Sequence, residues 1–262
     1  MNLEFKTFPC LSDNIGILLH GGGVTIAVDV PESGPYLRIL NEKGWELTHI
    51  LLTHKHHDHI AGVLDLKRDS HARVYGPKEI SESWVDTVVS PGDRLFLSGK
   101  GLSSGYAFCV MGAPGHTLGH IVYRYKAQQW LFVGDVLFAL GCGRLFEGTA
   151  AQMWRALEQI RSLPGETLVF CGHEYTLKNA AFALSLDPSN KIIQKRVQRV
   201  KLDHEKGSMS VPFLLAEEKQ TNPFLRISDK LFQKMVFSES DLEKSKTEKD
   251  LFSQLRRWRD CF

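Results

Sequence analysis

Thr53-His54-Lys55-His56-His57-Asp58-His59 follows directly on the apolar run Ile50-Leu51-Leu52. From His54 to His59 the chain offers four imidazoles and one carboxylate, at the end of a segment with the character of a buried strand, where a rigid sheet holds side chains in fixed directions. Neutral imidazole and carboxylate are borderline ligands that suit Zn²⁺, with Fe²⁺ or Mn²⁺ as alternatives. The stretch therefore reads as a metal site. Ile60 to Leu66 beyond it has helical character, so the cluster lies at a strand-to-helix turn, where α/β architectures place their chemistry.

Outward from the cluster the pattern is first β-rich and then helical. Leu3 to Phe8, Ile15 to His20 and Val24 to Asp29 are short apolar or alternating bursts, separated by the turn residues Ser12-Asp13-Asn14 and Gly21-Gly22-Gly23. They predict a β meander, followed by a helix over Tyr36 to Lys43 that stops at Gly44 and a strand over Leu47 to Thr53. Ala72 to Tyr75 reads as the next strand, and Arg94 to Gly134 is again β-rich. Thr149 caps a helix that runs to Ser162, and Leu168 to Phe170 is one more buried strand. After Glu174 the β signal disappears: Leu177 to Leu186, Asn190 to Lys206, Asp229 to Phe237 and Asp241 to Arg257 read as helices. The expected division is a β-rich, metal-binding domain over residues 1–173 and a helical domain over residues 174–262.

Three later positions repeat one grammar, an apolar strand, a glycine and then a metal-ligand side chain. They are His116 in Pro114-Gly115-His116, Asp135 in Val133-Gly134-Asp135 and His173 in Cys171-Gly172-His173. His116 is preferred to His120, which opens an apolar strand. With His54, His56, Asp58 and His59 this makes seven ligand groups, too many for one tetrahedral ion. Two ions that share one carboxylate would use all seven.

Composition narrows the rest. The 262 residues are 43% hydrophobic and 24% charged, as in a globular protein, and no apolar run approaches the ~20 residues of a membrane span. The N-terminus lacks the apolar core of a secretory signal, so a cytoplasmic location is expected. Five scattered cysteines without a C-x-x-C pair argue against a disulfide framework or a thiolate zinc site. The net charge is +2, with the basic excess after residue 173, where 17 Lys and Arg face 13 Asp and Glu. No motif of a nucleic-acid binder accompanies it. Neither nucleic acid nor membrane is expected as a partner, and a monomer is.

The T-H-x-H-x-D-H signature with its downstream His116, Asp135 and His173 resembles that of the metallo-β-lactamase superfamily. Gly141-Cys142-Gly143-Arg144-Leu145-Phe146-Glu147-Gly148-Thr149, Cys171-Gly172-His173-Glu174-Tyr175-Thr176 and Asn222-Pro223-Phe224-Leu225-Arg226 resemble, more narrowly, the glyoxalase II (hydroxyacylglutathione hydrolase) family. The resemblance implies an α/β fold, an αββα metallo-β-lactamase sandwich with a C-terminal all-helical domain. It implies two metal ions per chain, zinc first and iron or manganese as alternatives. His54, His56 and His116 would hold one ion, Asp58, His59 and His173 the other, and Asp135 would bridge them; Lys55 and His57 would not be ligands. Arg144, Tyr175, Arg256 and Arg259 would bind a glutathione thioester. Where the family has lysine and tyrosine, this chain has Arg144 and Phe146. Arginine keeps the cation and grips carboxylates bidentately, whereas phenylalanine removes a hydroxyl.

By the same resemblance a metal-bound hydroxide, with Asp58 and Asp135 in the catalytic centre, would hydrolyse S-D-lactoylglutathione to D-lactate and glutathione, the second step of methylglyoxal detoxification. A glutathione persulfide dioxygenase with one iron is the alternative on the same fold. The helical segment after Glu174 favours the hydrolase.

Overall fold

The computed structural model describes residues 2–99, 105–245 and 247–262. The chain forms two compact units. The first comprises Met1–Gly112, Thr117–Gly134 and Phe170–His173, and the second Ala113–His116, Asp135–Val169 and Glu174–Phe262.

In the first unit β1 (Glu4–Cys10), β2 (Asn14–Gly21) and β3 (Val24–Val28) form the expected antiparallel meander. Helix α1 (Ser33–Lys43) ends at Gly44, whose φ of 64° is a backbone angle that glycine adopts without a Cβ penalty. It leads into β4 (His49–Leu51), which pairs parallel with β3. The cluster stretch then leaves the sheet: His57–Ile60 form a short helix, α2, and Val63–Ser70 form α3. Parallel strands β5 (Arg73–Pro77) and β6 (Thr87–Val89) complete a sheet of order β1-β2-β3-β4-β5-β6. Being covered, the central strands read as near-continuous apolar runs. One face packs on α1 and α3 through Tyr36, Leu40, Ile50, Val63, Leu66 and Val74.

A second sheet contains β7 (Arg94–Leu97), β8 (Tyr106–Gly112), β9 (Ile121–Tyr125) and β10 (Trp130–Gly134), all antiparallel. Phe5 of the first sheet meets Trp130 and Phe170 edge to face, with ring centroids 5.5 and 5.1 Å away.

His49 is the buried histidine of β4. Burial, assisted by the Arg73 charge, pushes its pKa down from 6.5 to about 4, so it folds neutral. A pKa lowered on folding contributes stability above pH 6.5 that is lost as pH falls through about 4. Between pH 7.5 and pH 5 this one group is expected to remove about 2 kcal/mol of stability. Urea unfolding at both pH values should show a smaller loss for His49→Gln than for the wild type; equal losses would contradict the assignment.

The second unit begins its own elements with the two-residue strands β11 (Leu137–Phe138) and β12 (Gly141–Cys142), which pair with each other. Helix α4 (Ala150–Arg161) starts in a capping box, Thr149 with Gln152. Strand β13 (Leu168–Cys171) passes from the second unit into the first. Helices α5 (Thr176–Leu186) and α6 (Lys191–Glu205) follow, the latter capped by Asn190. A two-residue strand, β14 (Phe213–Leu214), pairs with Leu168 and Val169, a β segment that the pattern after Glu174 does not announce. Helix α7 (Leu215–Thr221) and α8 (Lys230–Val236) come next. The single helix expected over Asp241 to Arg257 is two, α9 (Glu239–Lys244) and α10 (Glu248–Cys261). Thr247 and Asp250 form a capping box of their own, and that local start signal separates them.

Candidate metal centre

Asp29 directly follows strand β3, and its φ of 52° turns its carboxylate toward the cluster. One oxygen accepts from the Thr53 amide at 2.8 Å; the other accepts from Thr53 Oγ1 and from His59 Nδ1, each at 2.8 Å. With the Nδ1 proton given to Asp29, His59 keeps a lone pair on Nε2. Thr53 Oγ1 also lies 3.0 Å from His54 Nδ1 and orients that ring, leaving His54 Nε2 3.1 Å from His56 Nδ1. Asp29 stands near His54 and His59 as a metal ligand would. Because both its oxygens are engaged by Thr53 and His59, we assign it to orienting the ligands. The sequence reading missed this residue. Its signal was a carboxylate placed just past a strand that is apolar but for Thr25.

His173 follows β13. Its Nδ1 lies 2.8 Å from Asp13 Oδ1, and its Nε2 is 3.3 Å from His59 Nε2 and 3.4 Å from Asp58 Oδ2. Asp58 Oδ2 is 4.0 Å from His59 Nε2. Two imidazole lone pairs and a carboxylate oxygen at these separations repel one another unless a cation lies among them. Ligand atoms ~2.0–2.1 Å from one tetrahedral ion stand about 3.3 Å apart, so the donor set and the two separations to His173 fit such a cation, while the Asp58–His59 pair stands wider. His173 first, then His59 and Asn14, hold the Asp58 carboxyl well below the usual carboxylate range. His57 is exposed, and His120 stacks on the His54 ring at 4.6 Å.

Gly134 has a φ of 49°, and a Cβ there would stand 2.5 Å from Thr53 Oγ1 and 2.8 Å from His120 Nε2. Only glycine lets β10 pass this close before the chain reaches Asp135.

The second unit carries the other two candidate ligands together: His116 Nε2 is 3.3 Å from Asp135 Oδ2, and both residues are buried. His116 Nδ1 donates to the Arg144 carbonyl at 3.0 Å, which leaves Nε2 on the Asp135 side. A Cβ at Gly143 would run into the Asp135 carbonyl, so glycine permits the Cys142-Gly143-Arg144 turn to lie against both ligands. Arg144 itself is exposed, and the exposed Phe146 ring meets the His116 ring at 5.1 Å.

The other predicted substrate residues also lie in this unit. Tyr175 is half-buried, its ring 5.2 Å from Phe138. Arg256 is only 4% exposed; it donates to the Cys142 carbonyl at 2.9 Å and to Asp260 at 2.9 Å. Arg259 is half-buried and donates to Asn179 Oδ1 at 3.2 Å. Burial lowers its pKa, and the neighbouring Arg256 and Arg144 charges lower it further. Residues 138–141 are held by buried amides: Asn179 donates to the Ala139 carbonyl, Asn222 to the carbonyls of Phe138 and Gly141, and the Leu140 amide to Glu218. Glu218 is in turn paired with the buried Arg196. The Cys142 thiol is inert, since burial pushes its pKa up to about 11.

Known proteins match this arrangement along the whole chain. The family described as metallo-beta-lactamase superfamily matches residues 17–173, and the one described as hydroxyacylglutathione hydrolase C-terminus matches residues 174–262. A hydroxyacylglutathione hydrolase of Bartonella henselae is 42% identical over 98% of this chain and 99% of its own, and one of Rhizobium etli is 41% identical over 99% of each. Among solved structures, ETHE1 from Myxococcus xanthus superposes with a TM-score of 0.63 at 25% identity, covering 98% of this chain and 99% of its own. A B3 metallo-beta-lactamase, BLEG-1, does so with a TM-score of 0.59 at 23% identity over 85% of this chain and 99% of its own. Because ETHE1 spans nearly all of this chain, the length of the helical segment after Glu174 does not by itself separate relatives of different names.

Proposed function

The chain belongs to the hydroxyacylglutathione hydrolases of the metallo-beta-lactamase superfamily, and from that premise we propose that it cleaves S-D-lactoylglutathione into D-lactate and glutathione on two zinc ions. It is a metal-dependent thioester hydrolase with the αββα fold of that superfamily and a mainly helical C-terminal region. His54, His56 and His116 would hold one ion and Asp58, His59 and His173 the other, with Asp135 as the carboxylate they share. Such ions would supply Lewis-acid polarisation of a thioester carbonyl and a water whose pKa lies nearer neutrality.

The observation that carries the reading is the His116–Arg144 hydrogen bond. The residue that offers a guanidinium to the tripeptide also fixes, through its carbonyl, the imidazole of a candidate ligand. Arg144 and Arg259 attract the carboxylates of glutathione, and Tyr175 adds a phenol hydroxyl. Arg256, turned to the Cys142 carbonyl, keeps the turn that presents Arg144 in place. The exposed Phe146 ring meets the His116 ring where a hydroxyl would hold substrate. The leaving thiolate, with a pKa near ~8.5 by analogy with cysteine, needs no strong general acid. No helix among the described residues is long and apolar enough to cross a membrane.

Thiol release from S-D-lactoylglutathione by the purified zinc-loaded protein tests the reading, with a short acyl thioester lacking the tripeptide as the comparison. Efficient cleavage of the glutathione thioester and poor cleavage of the short one is expected. Oxygen consumption with glutathione persulfide, on one iron per chain and without thioester cleavage, would overturn it.

A further inference from the structure

The β1–β2 turn, Leu11-Ser12-Asp13, reads from its composition as an ordinary reversal, since Asp and Asn favour such positions. Its place in the first unit says more. Strand β2 begins at Asn14, and Asn14 forms an isolated antiparallel bridge with His173, 159 positions away. The Ile15 amide donates to the Gly172 carbonyl at 2.8 Å, so the turn is docked on the backbone that delivers His173. Its near end is pinned as well, by the Leu11 amide donating to Glu32 Oε1 at 2.6 Å.

From this docked turn two adjacent side chains reach two candidate ligands. Asp13 Oδ1 takes the Nδ1 side of His173 at 2.8 Å. Asn14, only 4% exposed, donates through Nδ2 to the Asp58 carbonyl at 3.0 Å and to Asp58 Oδ2 at 3.2 Å, and the same nitrogen stands 3.5 Å from His173 Nε2. Asp13 therefore selects the tautomer that leaves Nε2 bare, and Asn14 fixes the carboxylate that faces it. Asp29 does for His59 what Asp13 does for His173. The imidazoles of His59 and His173 are thus oriented by carboxylates from two separate places in the chain.

We propose that Asp13 and Asn14 are positioning residues of one metal site, that held by Asp58, His59 and His173, and that they set its affinity without being ligands. The inference rests on the assignment of those three residues to one ion. Asp13 is the better probe, because its side chain is 37% exposed and its removal leaves no cavity in the core.

The test is zinc binding by the full-length protein, measured by competition with a chromophoric chelator and by metal content after dialysis, beside the melting temperature of the metal-free form. Asp13→Ala should keep one ion with wild-type affinity and bind the other about 10- to 100-fold more weakly, the usual effect of losing a carboxylate behind a ligand histidine. Asp13→Asn should recover much of that loss, because its amide oxygen still accepts from Nδ1. Asn14→Ala should weaken the same ion about tenfold. His173→Ala, the control, should lose that ion outright. Asp13→Ala binding both ions as tightly as the wild type, while His173→Ala loses one, would overturn the proposal and leave the ligand assignment standing. Both ions retained in His173→Ala would instead bring down the assignment, and the proposal with it. Loss of both ions together with a fall in the metal-free melting temperature would reduce Asp13 to a folding role and overturn the proposal as well.

Discussion

Asp135→Asn is expected to lower kcat for S-D-lactoylglutathione on the order of a thousandfold and to leave fewer than two metal ions per chain. The substitution keeps the side chain's shape and removes its charge. Asp135 is buried, and its Oδ2 faces His116 Nε2 at 3.3 Å. A neutral amide at that point offers one acceptor oxygen to a site that two divalent cations would share. The Lewis-acid contribution of a bound ion is several kcal/mol of transition-state stabilisation, and each ~1.4 kcal/mol is a factor of ten in rate. Metal analysis and initial rates on the same sample check both halves. Two ions retained with wild-type turnover would contradict a bridging role for Asp135.

Arg144→Ala combined with Arg259→Ala is expected to raise KM for the glutathione thioester on the order of a hundredfold, with a far smaller change in kcat. Each charge-assisted hydrogen bond to a carboxylate contributes roughly 1.5–3 kcal/mol, and such contacts are the same in ground and transition states, so their loss falls on KM. Arg259 has its pKa lowered by burial and by the Arg256 and Arg144 charges, a mutual repulsion that an anionic ligand relieves. Arg256 is left intact in this pair. It is buried with its guanidinium on the Cys142 carbonyl and on Asp260, so its removal would disturb the turn itself rather than report on a clamp alone. The discriminating measurement is the same pair of constants for a short thioester without the tripeptide. An equal rise in KM there would refute the carboxylate contacts.

The candidate ligands were legible because their chemistry is local: four imidazoles and a carboxylate follow one apolar strand, and Gly134 and Gly172 each precede a candidate ligand. The strands of the first sheet were legible for the same reason, since period and turn residues are short-range signals. What was not legible acts across the chain. Asp13 meets His173 across 160 positions, and nothing in Ser12-Asp13-Asn14 distinguishes a ligand brace from a plain turn. Asp29 shows its role only when Thr53 and His59 are folded onto it. β14 is two residues long, too short for a period, and exists because Leu168 and Val169 offer it an edge. Arg256 lies on a strongly charged helix whose pattern predicts a solvated face, yet its guanidinium is enclosed over Phe224 at 5.2 Å. The break between α9 and α10 was readable in principle, from the Thr247 and Asp250 capping box, but a continuous run of charged and apolar residues masked it.

Thioester hydrolysis here is expected to require two ions held by the seven proposed ligands. Metal-free protein titrated with zinc, while thiol release from S-D-lactoylglutathione is followed, tests it most directly. Activity should rise to a plateau at two equivalents of zinc per chain. A plateau at one equivalent, or no thiol release at two, would contradict it.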